Sequence, residues 1–188
     1  MKELLTEIKK CTICLPYLKD GVNPVVSASS TSKNAIVGQA PGRKVHETGI
    51  PWDDKSGERL RDWLGVSKQK FYNAEVFALV PMGFCYPGKG KSGDLPPRAE
   101  CAPQWHEALF NCIDDLRLII LVGNYAQKYY LKETAEETLT ETVKNYKKYF
   151  PRFLPLPHPS PRNNIWLKKN EWFEHSLLPD LKKIIRDY

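Results

Sequence analysis

No apolar run in this sequence of 188 residues approaches the length of a membrane span, which excludes a helical membrane protein. There is no internal repeat and no low-complexity tract, so neither a solenoid nor a disordered chain is expected. A secretory signal is also missing: the opening MKELLTEIKK has the pattern of a polar amphipathic helix. An intracellular, cytoplasmic protein is the expectation. Without secretion, five cysteines do not make a disulfide framework and point instead to metal, redox chemistry or burial. What is present is ordinary for a globular chain, with 41% hydrophobic and 27% charged residues. The 15 prolines and 11 glycines suggest long, shaped loops. The length suits a single domain over residues 1–188. A net charge of +6 and a pI near 9.0 favour an anionic partner such as nucleic acid.

Cysteine spacing narrows the choice. Cys11 and Cys14 form C-T-I-C, Cys85 lies in GFCYPG, and Cys101 follows after fifteen intervening residues. Each of these three segments carries a proline two residues after a cysteine, at Pro16, Pro87 and Pro103. Four thiolates borne on loops suit zinc or an iron–sulfur cluster; four unrelated buried cysteines are the alternative. Cys112 stands apart in HEALFNCIDDL, where helical spacing reads as a buried structural thiol.

Periodicity supplies the frame. Helices are expected over residues 3–10, 56–64 (with Ser56 as cap), 124–131 and 172–188, the last interrupted near Pro179. Strands are expected over residues 33–38, 76–80, 116–122 and 152–156, and LRLIILV suits a strand covered on both faces. Alternating strands and helices imply an α/β layer fold with a mostly parallel sheet. In such sheets ligands bind beyond the carboxyl ends of strands. Two strands here end in unusual loops: GQAPGRKVHETGIPWDDKSGERL at residues 38–60 and HPSPRN at residues 158–163.

Both loops resemble the two active-site motifs of the uracil-DNA glycosylase superfamily. The N-terminal CxxC with the Cys85–Cys101 spacing resembles the cluster ligands of its iron–sulfur branches, families four and five, and HPSPRN is similar to the loop of the single-strand-selective branch. The likeness runs from Cys11 to the final helix. It implies a three-layer α/β fold with a central four-stranded sheet and a 4Fe-4S cluster on Cys11, Cys14, Cys85 and Cys101, zinc being the other possibility. It further implies a monomer acting on DNA that contains a damaged or deaminated base.

Cleaving an N-glycosidic bond builds positive charge on the sugar and negative charge on the departing base. His158, fixed between Pro157 and Pro159, is the expected donor to the base oxygen. Gly38 and Gly42 permit close backbone approach, Pro41 between them is expected among the substrate-binding residues, and Gln39 and the amides near Ala40 are expected at the base edge. Trp52 is either a stacking platform for a flipped base or a core residue. Asp54, in a D-K-S-G resembling the D-R-S-G of family five, either serves water and the sugar cation or caps a helix. Ser160 continues the second loop toward Arg162 and Asn163. Arg162 is read as the wedge filling the gap left by the flipped base, or as a phosphate contact. Arg43 and Lys44, like Lys89, Lys91 and Arg98, are basic loop residues suited to phosphates. His46 reads as a solvated loop histidine, and Tyr129, Tyr130, Tyr146 and Tyr149 as packing residues.

Three departures from the family pattern bear on activity. Ala40 stands where the uracil branch has its hydrolytic aspartate, Gln39 where family four has glutamate, and Pro81 where families one and four have the uracil-reading asparagine. No lysine is placed as a Schiff-base nucleophile, so a monofunctional glycosylase is expected, with bases beyond uracil such as hypoxanthine or xanthine admitted. A non-catalytic nucleic-acid-binding module on the same fold is the alternative.

Overall fold

A computed structural model describes residues 1–187. In chain order its elements are α1 (Lys2–Lys9), β1 (Asn34–Val37), α2 (Arg43–Thr48), α3 (Lys55–Leu64), α4 (Lys68–Phe71), β2 (Phe77–Leu79), β3 (Lys89–Gly90) and β4 (Gly93–Asp94). They continue with α5 (Cys101–Asn111), β5 (Leu118–Val122), α6 (Asn124–Leu131), α7 (Leu139–Lys144), β6 (Phe153–Leu156), α8 (Asn164–Lys169) and α9 (Leu178–Asp187).

The strands β1 (NAIV) and β5 (LIILV) are buried at every residue, because helices cover both faces of the sheet. The sheet has four parallel strands among the described residues, in the order β2-β1-β5-β6. Strand alternation divides the core into two layers. Ile36 and Ile120 face α3 and α9 through Leu60, Trp63, Leu64 and Ile185. Ala35, Val37 and Ile119 face α1, α5 and α6 through Ile8, Trp105, Leu109 and Ala126. The result is the three-layer α/β fold. Pro155 sits inside β6 without breaking the sheet, since β6 is an edge strand.

Chain direction reverses at the centre. From β1 the chain steps outward to β2, then crosses back to β5 and steps outward the other way to β6. The crevice beyond the carboxyl ends of β1 and β5 is therefore a topological switch point, the place where such sheets hold ligands.

Several expectations need correction. The expected helix over 56–64 starts at Lys55, and its cap is Asp54 rather than Ser56, because Asp54 is extended while Ser56 is already helical. Cys112 is not a buried residue of a helix face: α5 ends at Asn111 and leaves Cys112 half-buried at its C-cap. Cys101 is not on a loop but opens α5. His46 is not a solvated loop residue, since it lies on α2 with a buried Nδ1 that has no partner among the described residues. The final helix is a π-type turn (Phe173–Leu177) running into α9, and the expected end at Tyr188 lies outside the described residues.

His106 on α5 is 2% exposed, and burial pushes its imidazole down to about 4. The folded state therefore favours the neutral form, whereas the unfolded chain takes up a proton below its ordinary value of 6.5. This stability is fully present above that value and is lost as pH falls toward 4, amounting to about 3 kcal/mol. Urea midpoints followed from neutral to acid pH should fall less steeply in His106→Gln, which does not titrate.

Candidate active site

Beyond β1 the chain turns at Gly38–Gly42. The turn is sewn to the segment after β2: Met82 N–H donates to the Gly38 carbonyl at 2.9 Å and Gly83 N–H to the Gln39 carbonyl at 3.0 Å. Trp52 lies over the turn. A Cβ at Gly38 would stand 2.6 Å from Trp52 Cζ2, so only glycine lets the indole settle there. Trp52 itself has a φ of 57°, a left-handed conformation rare for an aromatic residue. It is held there from beneath, because a Cβ at Gly57 would overlap the Trp52 carbonyl oxygen. Gly57→Ala is accordingly expected to lose about 3 kcal/mol of stability, at the upper end of overpacking, as read from its urea midpoint.

The second loop leaves β6. Gly123 N–H and the Gln127 side chain both donate to the Leu156 carbonyl, at 2.9 and 2.8 Å, and fix the strand end. Pro157 and Pro159 are buried on either side of half-buried His158. His158 Nδ1 accepts from Ser160 N–H at 3.2 Å. A backbone amide can only donate, so the neutral ring carries its proton on Nε2. Burial holds the imidazole below its ordinary value, with Asp54 pulling the other way, and the neutral form prevails at neutral pH. The rings of His158 and Trp52 lie 5.8 Å apart, tilted by 32°.

Asp54 serves two surfaces at once. Its Oδ1 accepts from Gly57 N–H at 2.8 Å as the N-cap of α3, and the residue also lines the cavity described next. The cap takes one oxygen and leaves Oδ2.

Gly38, Gln39, Ala40, Pro41 and Gly42 line one cavity of about 400 Å³ together with Trp52, Asp54, His158, Ser160, Arg162 and Asn163. Asn163 turns inward, with Nδ2 donating to the His158 carbonyl at 2.7 Å. Arg162 reaches across the mouth and donates to the Ser92 carbonyl at 2.9 Å, on the hairpin formed by β3 and β4. Arg59 braces the same loop through the Ser160 carbonyl at 3.3 Å. Arg43 and Lys44 lie outside the cavity on α2, the first 3.4 Å from Asp20 and the second 3.8 Å from Asp53. The cavity also takes in Pro81, Pro87, Asp94 and Leu95. Asp94 and Leu95 escape the sequence reading, although Gly90-Lys91-Ser92-Gly93 has the makeup of a tight hairpin turn.

A second, small cavity is lined by Cys11, Cys14, Cys85 and Cys101, with Phe84, Trp105 and Arg98 around them. Phe84 N–H points at Cys101 Sγ, 3.3 Å away. Burial pushes the Cys85 thiol up to about 11 and the Cys101 thiol up to about 12, and the neighbouring sulfurs push in the same direction. Among the described residues no three His, Cys, Asp or Glu side chains stand in metal-holding geometry. The donor set nonetheless fits a thiophilic group: four sulfurs from three segments share one apolar hollow, with a backbone donor directed at one of them.

Sheet and cavity together define an α/β protein with a cavity beyond the carboxyl ends of its strands, lined by a glycine turn, a tryptophan lying over that turn and a proline-flanked histidine. Over residues 26–182 the sequence matches the Uracil DNA glycosylase superfamily, and the chain belongs to that superfamily, whose members are generally DNA glycosylases. No helix among the described residues is long and apolar enough to cross a membrane.

Proposed function

We propose that this chain is a monofunctional DNA glycosylase that hydrolyses the N-glycosidic bond of a deaminated base, uracil or a lactam purine such as hypoxanthine, and leaves an abasic site. The observation that carries this reading is the His158 tautomer: with Nδ1 engaged by Ser160, the proton on Nε2 is available to a base carbonyl in the cavity. As the glycosidic bond breaks, negative charge on the base oxygen strengthens that hydrogen bond, which is transition-state stabilisation. The Asp54 oxygen not used in capping supplies negative charge beside the sugar cation or orients the attacking water. Trp52 offers a flat face for the base, and Gln39 with the nearby amides offers donors to its edge. Pro81 presents no side-chain amide to the base, so the edge is read less stringently than by a bidentate reader.

Cys11, Cys14, Cys85 and Cys101 would hold a 4Fe-4S cluster, which when bound cross-links the N-terminal segment, the loop after β2 and the start of α5. Arg43, Lys44 and Arg162, in a chain of net charge +6, supply contacts to DNA phosphates.

Release of free base from single- and double-stranded oligonucleotides carrying uracil, hypoxanthine or xanthine tests the reading. No release from any lesion, with DNA binding intact, would replace it by a binding module, as Ala40 and Pro81 would then have signalled. Asp54→Asn separates the two duties of Asp54, because asparagine caps helices equally well. The urea midpoint of this variant should stay near that of wild type while base release slows about a hundredfold.

A further inference from the structure

His106 is buried behind the base cavity and takes no part in the chemistry above. Its Nε2 lies 3.0 Å from the Pro81 carbonyl oxygen and its Nδ1 lies 2.5 Å from the Tyr130 hydroxyl of α6. A carbonyl can only accept, so Nε2 carries the proton and Nδ1 accepts from Tyr130. Phe84 lies nearly parallel to the ring at 5.6 Å and 16°, and the Tyr130 ring, which meets it through the hydroxyl, lies nearly coplanar at 6.0 Å and 19°. Its direction is thereby set as well as its tautomer.

Pro81 lines the base cavity. It has no N–H, and the two amides that follow it are committed to Gly38 and Gln39 of the first loop. Its carbonyl is the group left to be held from behind, and His106 holds it. We propose that Tyr130 and His106 form a positioning pair that fixes the cavity wall at Pro81 and so sets which base edges fit. The chain of donors runs from Tyr130 O–H to His106 Nδ1 and from His106 Nε2–H to the Pro81 carbonyl. Without the Tyr130 hydroxyl the buried Nδ1 lone pair has no donor, so the ring turns toward another one and its Nε2–H loses alignment with the Pro81 carbonyl, which moves the wall. The inference rests on the base-cavity reading proposed above.

Tyr130→Phe, His106→Phe, the double variant and His106→Gln test the pair, read by kcat and KM for hypoxanthine and uracil release and by urea midpoints. Tyr130→Phe touches nothing in the cavity. It should still change the hypoxanthine-to-uracil ratio of kcat/KM on the order of tenfold, with KM moving more than kcat. His106→Phe should do the same and the double variant no more, because the two act through one carbonyl. His106→Gln, which keeps a donor and an acceptor, should restore most of the ratio. Lowered urea midpoints with an unchanged ratio and KM would reduce the pair to a structural role and overturn the proposal.

If wild-type protein releases no base at all, the functional reading fails, and the pair is judged on two other measurements. These are the ¹⁵N spectrum of the His106 ring and the preference of wild type and Tyr130→Phe for lesion-bearing over undamaged oligonucleotide. A proton on Nε2 with a preference altered by Tyr130→Phe supports the pair; a proton on Nδ1 or an unaltered preference overturns it.

Discussion

Replacing His158 with alanine is expected to slow release of the base by about one hundred- to one thousandfold, the effect of removing one donor from a developing oxyanion. The size follows from the setting. The imidazole is flanked by two buried prolines, its Nδ1 is engaged by the Ser160 amide, and its main-chain carbonyl is held by Asn163, so its aim is set before substrate arrives. Burial keeps it neutral, and the donor is therefore an N–H rather than a cation at neutral pH. His158→Gln retains a donor and should fall between wild type and His158→Ala. Single-turnover rates on a lesion-bearing oligonucleotide read the effect, and binding of the same oligonucleotide should change far less. A rate unchanged in His158→Ala would remove this residue from the chemistry and with it the proposed mechanism.

With the proposed 4Fe-4S cluster on the four cysteines, wild type is expected to be purified with visible absorbance, iron and acid-labile sulfide, and Cys101→Ser is expected to abolish all three. A large fall in stability should accompany the loss. Cys14 and Cys85 are separated by 70 residues, and a link closing a loop of that length contributes on the order of 4 kcal/mol through chain entropy. Cys112→Ser serves as the control, since Cys112 lies at the far end of α5 from Cys101 and does not line the cysteine cavity. A colourless wild-type protein holding one zinc would transfer the same four ligands to a different metal. Full colour and stability in Cys101→Ser would show that the four thiols do not act together.

Much of this was legible in the chain before folding. The four strands stood out because each is covered on both faces or nearly so, which writes apolar runs such as LIILV and the AIV of β1 into the sequence. HPSPRN was visible because proline restricts the backbone wherever it occurs, and the four cysteines because their spacing stands out in a chain, although only folding brings them to one hollow. The short helices α2 and α8 were not legible, since six residues beside glycine- and proline-rich turns hold too little periodicity to register. Asp54 shows the limit within a single residue. Capping is a local hydrogen bond three residues on and was foreseeable, whereas sharing a cavity with His158 depends on a strand more than ninety residues away.

The sequence by itself determined the alternation of strands and helices that makes an α/β layer fold, the two unusual loops that follow strands, and the pool of chemical groups on them, because periodicity, proline restriction and residue type are local properties. Only the tertiary structure decided how those groups are used. It placed Arg162 on the hairpin carbonyl of Ser92, brought Asp94 into the cavity, set Trp52 over Gly38, and put the Tyr130–His106 pair behind Pro81. Each of these contacts joins residues from 14 to 70 positions apart in the chain, and packing of the whole core, not the preference of any one segment, is what brings such residues together.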